Sequence, residues 1–533
     1  MHEAIGIIVG EASSTSFIFS STTERCPSRL DYVSIQSMEL IDGVLTEVDV
    51  LAQVEAIFSA SDALSQYIGF EAIRRIKAAD IDDIRVYGKA RILGYMQDDE
   101  RDALFPRRSI TPGSEVRLAS ESLLERFYSF EADEALDVGS LITRRSVNVS
   151  ISVTGLRRHM AIIAQTGAGK SYAAGVILEE LLEKGATVLI IDPHADYVLM
   201  GRNEDASIHE LSDRCKVFRN PSSTGRYEES QIGTIEEYTI AFSDLSDDEV
   251  FEIAGVAPSY RRIRETMSKV LGELRQSNSA YTPDDLLDTL LGHMETAATQ
   301  GERSDYASAV RFARDLVRMR VFGGSSTQLS RLLAPMQLST LDLSGLDHSS
   351  MDYIVAKLLR EVYEEVSSGR FPHPVFVLVE EAHNFVSREN STMSSSILKR
   401  IAAEGRKFGV FLIVVTQRPS KIHADTLSQC NSQIIMKLTN PKDQNSVAES
   451  SERLSSDLLA DLPGLNPGEA VIVGPIAKAP VMVKIRRRRT REGGADIDIV
   501  SALRSARKEV GIDKVVAKHK ESQEKFGGAF EDE

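Results

Sequence analysis

Residues Ala164–Ser171 read Ala-Gln-Thr-Gly-Ala-Gly-Lys-Ser and directly follow the apolar run Met160–Ile163. A buried strand that enters a glycine-rich turn, then Lys-Ser, then an amphipathic run from Tyr172 to Lys184, is suited to hold phosphate. Gly167 and Gly169 let the backbone wrap phosphate oxygens and turn N–H groups toward them, with Thr166 and Ala168 completing the loop and Tyr172 following it. Lys170 can reach the β- and γ-phosphates of a nucleoside triphosphate, and the Ser171 hydroxyl can hold Mg²⁺. Ala164 stands where the pattern G-x-x-x-x-G-K-[ST] begins with glycine; alanine is tolerated there if its φ is negative.

A second constellation is Phe376-Val-Leu-Val-Glu380-Glu381-Ala-His383, an apolar strand that delivers two adjacent carboxylates at its C-terminal end. Hydrolysis of a triphosphate needs one acid to support the metal, which suits Glu380, and a second to orient and polarise the attacking water, which suits Glu381. Without the phosphate loop, the same pair would read as a cap on the next helix. A third is Val410–Thr416 followed by Gln417-Arg418-Pro419, a buried strand ending in a polar side chain able to sense a γ-phosphate. Gln417 is the candidate; a plain strand-to-loop turn is the alternative. Ile397–Phe408 places Arg400, Arg406 and Lys407 on or just after one helix, and an arginine inserted from a neighbouring subunit is one way to stabilise phosphoryl transfer. His194, His383 and His423 have no metal-ligand spacing. Ser391–Ser396, preceded by Arg388, reads as a flexible polar segment that either faces substrate in a pore or lies on the surface.

These residues need an alternating scaffold to position them. Residues 1–150 are rich in short β-branched runs (Ile5–Val9, Ser16–Ser20, Tyr32–Gln36, Leu45–Ala60, Arg85–Gly94) with one helix over Ser61–Ala79, which predicts a small barrel. Val147–Val153 reads as its closing strand or as a linker. Residues 151–244 alternate strand and helix, the mark of a parallel α/β domain with its chemistry at the carboxyl ends of the strands. Residues 245–335 are helical, with Thr282-Pro-Asp-Asp285 as a helix start, and predict a bundle inserted into the α/β domain. The α/β pattern resumes over 336–490, where Val375–Val379 and Val410–Val415 are continuous apolar runs, as in the centre of a parallel sheet. Glu469–Gly474 and Val481–Arg486 predict an edge hairpin. Residues 491–533 read as a charged helix and mobile tail.

At 533 residues the chain exceeds one ordinary domain. Its net charge of −17 excludes a wholly basic nucleic-acid binder but not a local basic surface, because fields are screened beyond about 8 Å. The one dense basic run, Arg486–Arg491, reads equally as a solvated strand end and as a surface facing DNA or a subunit. The three separated cysteines fit a reducing cytoplasm, the N-terminus has no basic leader, and the longest apolar runs fall far short of a membrane span.

The set Ala-Gln-Thr-Gly-Ala-Gly-Lys-Ser, Ile190-Ile-Asp-Pro-His-Ala-Asp-Tyr197, Val375–Phe385, Glu404-Gly-Arg-Lys-Phe-Gly409 and Val414-Val-Thr-Gln-Arg-Pro-Ser420, in this order, resembles the HerA family of archaeal DNA translocases, which is grouped with the FtsK-like pumping ATPases. The likeness spans about residues 1–490. Ala164 for glycine and Asp196 for glutamate depart from the family pattern without removing a catalytic group. The resemblance implies a RecA-like ATPase core behind a small N-terminal β-barrel, ATP and Mg²⁺ as cofactors, and a homohexameric ring around double-stranded DNA. It further implies a NurA-type nuclease as partner in resecting double-strand breaks. Carried over by motif, Lys170 and Ser171 bind phosphate and Mg²⁺, Glu380 supports the metal, Glu381 activates water, Gln417 senses the γ-phosphate, Arg406 is a finger acting in trans, and Arg158 approaches the nucleotide. Two rivals are a secretion- or conjugation-type ATPase moving protein or single-stranded DNA, and a slow nucleotide-binding clamp.

Overall fold

The phosphate loop is held by a twelve-stranded sheet. The computed structural model describes residues 3–64, 67–79, 83–97, 102–277, 280–451, 453–494 and 499–509. Across the sheet run Ile235–Glu237, Cys215–Arg219, Leu338–Asp342, Thr187–Asp192, Val375–Val379, Val410–Thr416, Met160–Ile163 and Ser432–Met436, all parallel. Every residue of Met160–Ile163, Thr187–Asp192 and Val375–Val379 is buried, because helices cover both faces and leave no wet side to alternate toward. The parallel order brings the carboxyl ends of these strands to one rim, where Gln165, Asp192, Glu380 and Gln417 follow.

Four antiparallel strands extend the sheet beyond Ser432–Met436: Glu469–Val473, Val481–Ile485, Ala135–Leu141 and Asn148–Ser152. The hairpin expected at the edge is therefore internal, since Ala135–Leu141 pairs with the outer side of Val481–Ile485. Asn148–Ser152 is neither the barrel's closing strand nor a linker, but the last strand of this sheet. Its inward residues Val149 and Ile151 join the core cluster that also holds Ala173, Val176 and Ile177 of the phosphate-loop helix.

The N-terminal barrel closes with Ala4–Val9, Ser16–Ser21, Tyr32–Ile41, Val44–Ala60, Arg85–Tyr95 and Glu115–Leu118. The closing strand is thus Glu115–Leu118, which pairs with both Ala4–Val9 and Tyr32–Ile41. Phe17 and Phe19 point inward, and the Phe19 ring lies so close over Gly88 that a Cβ there would overlap it. The helix expected over Ser61–Ala79 is shorter, Phe70–Ala78, with Gly69 at its N-cap.

The inserted bundle comprises Asp247–Ala254, Arg261–Ser277, Pro283–Thr296 and Gln300–Arg318. Thr282 caps Pro283–Thr296 through Asp285, as its sequence predicts. Met267, Leu271, Leu286, Leu290, Ala309 and Leu316 join the same core as the parallel strands. The chain from Gly493 onward forms a separate unit containing the helix Ile499–Glu509, and the expected tail lies outside the described residues. Among the described residues no helix is long and apolar enough to cross a membrane.

Candidate nucleotide-binding and active site

The loop from Gln165 to Gly169 leads from the Met160–Ile163 strand into the helix Lys170–Glu183. Gly167 and Gly169 have φ of 77° and 98°, which L side chains adopt with strain, and Ala164 has a negative φ, so alanine is accommodated there. Gly169 is the helix N-cap and makes no side-chain cap, which leaves the first-turn N–H groups available to an anion at the positive end of the helix dipole. Thr166 donates its hydroxyl to Gln417 Oε1 at 2.5 Å, joining the loop to the end of the Val410–Thr416 strand. The Tyr172 hydroxyl accepts the backbone N–H of Arg488 at 2.6 Å.

Lys170 turns its ammonium into the acid pair, bonding Glu380 and standing 3.3 Å from Glu381 Oε1. Glu380 is fully buried, and its other oxygen accepts the Tyr197 hydroxyl at 2.5 Å. Glu381 sits at φ 46°, ψ 46°, a left-handed conformation rare for a side chain of its size and a form of strain found at catalytic positions. Its Oε2 is buried without a hydrogen-bond partner; the His383 ring nitrogen is 3.1 Å away but off the bonding axis, and also meets Thr416 Oγ1 at 3.2 Å. Burial pushes the Glu381 carboxyl up, yet the His383 ring and the Lys170 charge outweigh it and hold the group below the ordinary range. Glu381 is therefore ionised at neutral pH, as a residue that accepts a proton from water must be.

The motif Ile190–Tyr197 brings two further acids, Asp192 and Asp196, from the neighbouring strand. Ser171 donates to Asp196 Oδ2 at 2.7 Å. Asp192 is fully buried and accepts backbone N–H groups of His194, Asp196 and Tyr197 at 3.3, 3.0 and 2.8 Å, which shapes the turn that presents Asp196. Burial and the Asp196 charge push Asp192 up to about 7. Asp192 ends a strand that is the direct neighbour of the one ending at Glu380.

The donor set suits Mg²⁺. Among the described residues no three His, Cys, Asp or Glu side chains converge as a closed metal site. Mg²⁺ is typically held by one or two protein oxygens together with substrate phosphates, which Ser171 and Glu380 could supply. The Lys170 ammonium now neutralises two carboxylates where a metal and a triphosphate would divide that charge, and the unpartnered Glu381 Oε2 is an acceptor for water.

Arg406 and Arg158 lie elsewhere. Arg158 precedes the Met160–Ile163 strand and Arg406 precedes Val410–Thr416, so both stand at the amino ends of strands whose carboxyl ends carry the phosphate loop and Gln417. At about 3.3 Å per residue, roughly 20 Å of strand separates Arg406 from Gln417. Arg158 therefore does not approach the phosphates of its own protomer. The two arginines line one open groove of about 670 Å³ with Arg157, Lys407, Arg453 and Asp102. Among the described residues neither Arg158 nor Arg406 has an ion-pair partner, whereas Arg400 stacks on Tyr363.

The basic run beyond Ile485 is neither a solvated strand end nor an open basic surface. Arg486 bonds Glu179 and Glu180 at 2.9 and 2.8 Å, Arg489 bonds Glu180 and Glu183 at 3.0 and 2.5 Å, and the N–H groups of Arg489 and Thr490 donate to Glu179. This strap holds the outer face of the phosphate-loop helix. Ser391–Ser396 is also more ordered than its composition suggests. Met393 opens a helix whose first N–H groups donate to the Asp352 carboxylate, and Ser394 and Ser395 are buried.

A family model described as the central domain of the helicase HerA matches residues 136–362, beginning at the sheet strand Ala135–Leu141. The DNA double-strand break repair helicase HerA of Pyrococcus furiosus is 31% identical over 91% of this chain and 92% of that protein. The chain belongs to the HerA helicase family. A probable helicase of Methanocaldococcus jannaschii is 29% identical over 94% of each chain. Among solved structures, VirB4 of Thermoanaerobacter pseudethanolicus is 14% identical with a TM-score of 0.48, covering 68% of this chain and 98% of that one. This HerA-family chain is an ATP hydrolase that uses ATP and Mg²⁺.

Proposed function

We propose that this HerA-family protein is an ATP-driven homohexameric motor that moves along double-stranded DNA. In this reading it works in the cytoplasm and feeds DNA ends to a NurA-type nuclease during double-strand-break resection. One observation carries the reading. The phosphate loop and acid pair occupy the carboxyl ends of the strands, while Arg158 and Arg406, which have no ion-pair partner among the described residues, occupy the amino ends, too far away to serve the same nucleotide. Only a neighbouring copy can bring the two half-sites together. The name of the Pyrococcus relative, a DNA double-strand break repair helicase, supports DNA as the track.

In the assembled site the loop N–H groups and Lys170 bind the triphosphate, and Ser171 and Glu380 hold the Mg²⁺, which neutralises phosphate charge. Glu381 takes a proton from water as that water attacks the γ-phosphorus and the bond to the β,γ-bridging oxygen breaks. Gln417 reports the γ-phosphate to Thr166 and the neighbouring loop. Arg406 and Arg158 of one copy stabilise the charge spread over the equatorial oxygens in the next, worth about 10³–10⁵ in rate where such arginines are measured. DNA contacts would be to phosphates, so binding is independent of sequence and weakens steeply with salt.

The test is ATP hydrolysis by the purified protein with and without linear duplex, at low and high salt, beside Lys170→Ala. Stimulation by duplex that salt suppresses and Lys170→Ala abolishes is the expected result. No stimulation, with the nuclease present as well as absent, would remove the DNA-motor reading.

A further inference from the structure

His159 lies between Arg158 and the phosphate-loop strand, and its backbone has φ 56° and ψ 159°. That region is essentially reserved for glycine, and a side chain persists there only where its surroundings hold it. The surroundings do. The residue is 1% exposed, and both ring nitrogens are used. Nδ1 accepts the N–H of Leu412 at 2.9 Å, and Nε2 donates to the carbonyl of Ala402 at 3.1 Å. This pair of bonds requires the neutral ring with its proton on Nε2. Burial pushes the imidazole down to about 4, against the bond to Ala402, so the ring is neutral at physiological pH.

The two partners are informative. In the helix Met393–Phe408 the Ala402 carbonyl lies one turn before Arg406, where it accepts the Arg406 N–H. Leu412 belongs to the strand that ends at Gln417. Arg158 is the residue next to His159 in the chain. One buried imidazole thus ties together the backbones that carry Arg158 and Arg406, and these two arginines line a groove holding five cationic side chains and one carboxylate. A hydrophobic residue could fill the same volume; it could not span two backbone groups of opposite polarity in this strained conformation.

We infer that His159 is a positioning residue that sets Arg158 and Arg406 into a single anion-binding groove, the half-site offered to the triphosphate of a neighbouring copy of this chain. The inference rests on the reading that these arginines act in trans. His159 touches no substrate; it acts through the two arginines.

Two variants separate its bonds. In His159→Asn the shorter side chain can still accept from Leu412, but cannot reach Ala402. In His159→Gln the amide reaches Ala402 and forfeits the Leu412 bond. The readouts are kcat and KM for ATP, and recovery of turnover when each variant is mixed with Glu381→Gln protein, beside Arg406→Ala as reference. His159→Asn is expected to lose about 10–100-fold in kcat with KM within twofold, the scale of a 1 Å misplacement. Mixing should restore part of its turnover, as for Arg406→Ala, and His159→Gln should keep most of its activity. Folded His159→Asn with normal kcat, or with a loss that mixing does not restore while Arg406→Ala is restored, overturns the inference and leaves the trans reading standing. Failure of Arg406→Ala itself to be restored by mixing instead sinks the trans reading. If His159→Asn does not fold, His159→Gly decides, because glycine accepts the backbone and removes both bonds: a loss of kcat restored by mixing supports the inference, and normal kcat or an unrestored loss overturns it.

Discussion

The guanidinium of Arg488 fills the space that a side chain on Gly175 would need. Gly175 lies in the middle of the phosphate-loop helix, where glycine is otherwise unfavourable by about 1 kcal/mol relative to alanine. Arg488 is almost fully buried and bonds Thr490 Oγ1 at 2.8 Å and Met200 Sδ at 2.8 Å, so it cannot leave without breaking the strap. Gly175→Ala should therefore destabilise the protein by about 1–3 kcal/mol, overpacking outweighing the gain in helix propensity. In the Arg488→Ala background, Gly175→Ala should cost far less than it does in the parent. Thermal unfolding of the two single variants and the double variant checks this, and additive effects would show that the two residues do not compete for space.

This contact also shows where sequence reading stops. The phosphate loop, acid pair and strand-end glutamine are legible because each follows an apolar strand, and local order alone dictates their chemistry. Arg486–Arg491 is equally conspicuous, but its meaning depends on Glu179, Glu180 and Glu183, about 300 residues earlier, and no periodicity predicts that pairing. His159 was invisible for the same reason: its partners are Ala402 and Leu412, and only a backbone dihedral marks it as unusual. The helical insert was readable from caps and spacing. Val147–Val153 reads as a closing strand or a linker because an alternating strand looks alike whether it closes a barrel or extends a sheet, and it is Asn148–Ser152 that extends the sheet.

Lys170 and Glu381 should fail in different ways. Lys170 contacts phosphate in the ground state as well as the transition state, so Lys170→Ala should abolish both binding and turnover. Glu381→Gln keeps the shape of the site and removes the proton acceptor. It should bind a non-hydrolysable ATP analogue as well as the parent while kcat falls about 10²–10⁴-fold. Equilibrium analogue binding beside steady-state hydrolysis separates the two, and a Glu381→Gln variant with unchanged kcat would assign the base elsewhere.

The bond from Thr166 to Gln417 makes a similar distinction. Gln417→Ala frees the phosphate loop from the strand that runs back toward Arg406. ATP binding should change little, because Lys170 and the loop amides remain. Stimulation of hydrolysis by duplex should weaken, because the γ-phosphate is no longer reported to the next element. Measuring kcat with and without DNA tests this; unchanged DNA stimulation would limit Gln417 to a structural role.

His159 predicts a pH dependence of stability whose sign follows from its environment. In the unfolded chain the imidazole titrates near its ordinary 6.5, and burial in the fold holds it down to about 4. Between those values the unfolded state binds a proton that the native state refuses. The native state therefore loses stability as pH falls from about 6.5 to about 4, and this group adds no slope above 6.5. The shift corresponds to roughly 3 kcal/mol at its full extent. The positive charge of Arg406 adds to the penalty for protonation, while the bond to Ala402 opposes it. Carboxylates also titrate at the acid end of this window, so the comparison must be between parent and His159→Gln, which carries no titrating group there. Denaturant unfolding from pH 4 to 8 should show a parent whose stability falls more steeply below 6.5 than that of the variant, with parallel curves above it. Parallel curves throughout would mean that the folded ring takes up a proton as readily as the unfolded one, so that the acceptor for Leu412 would be lost below about 6.5.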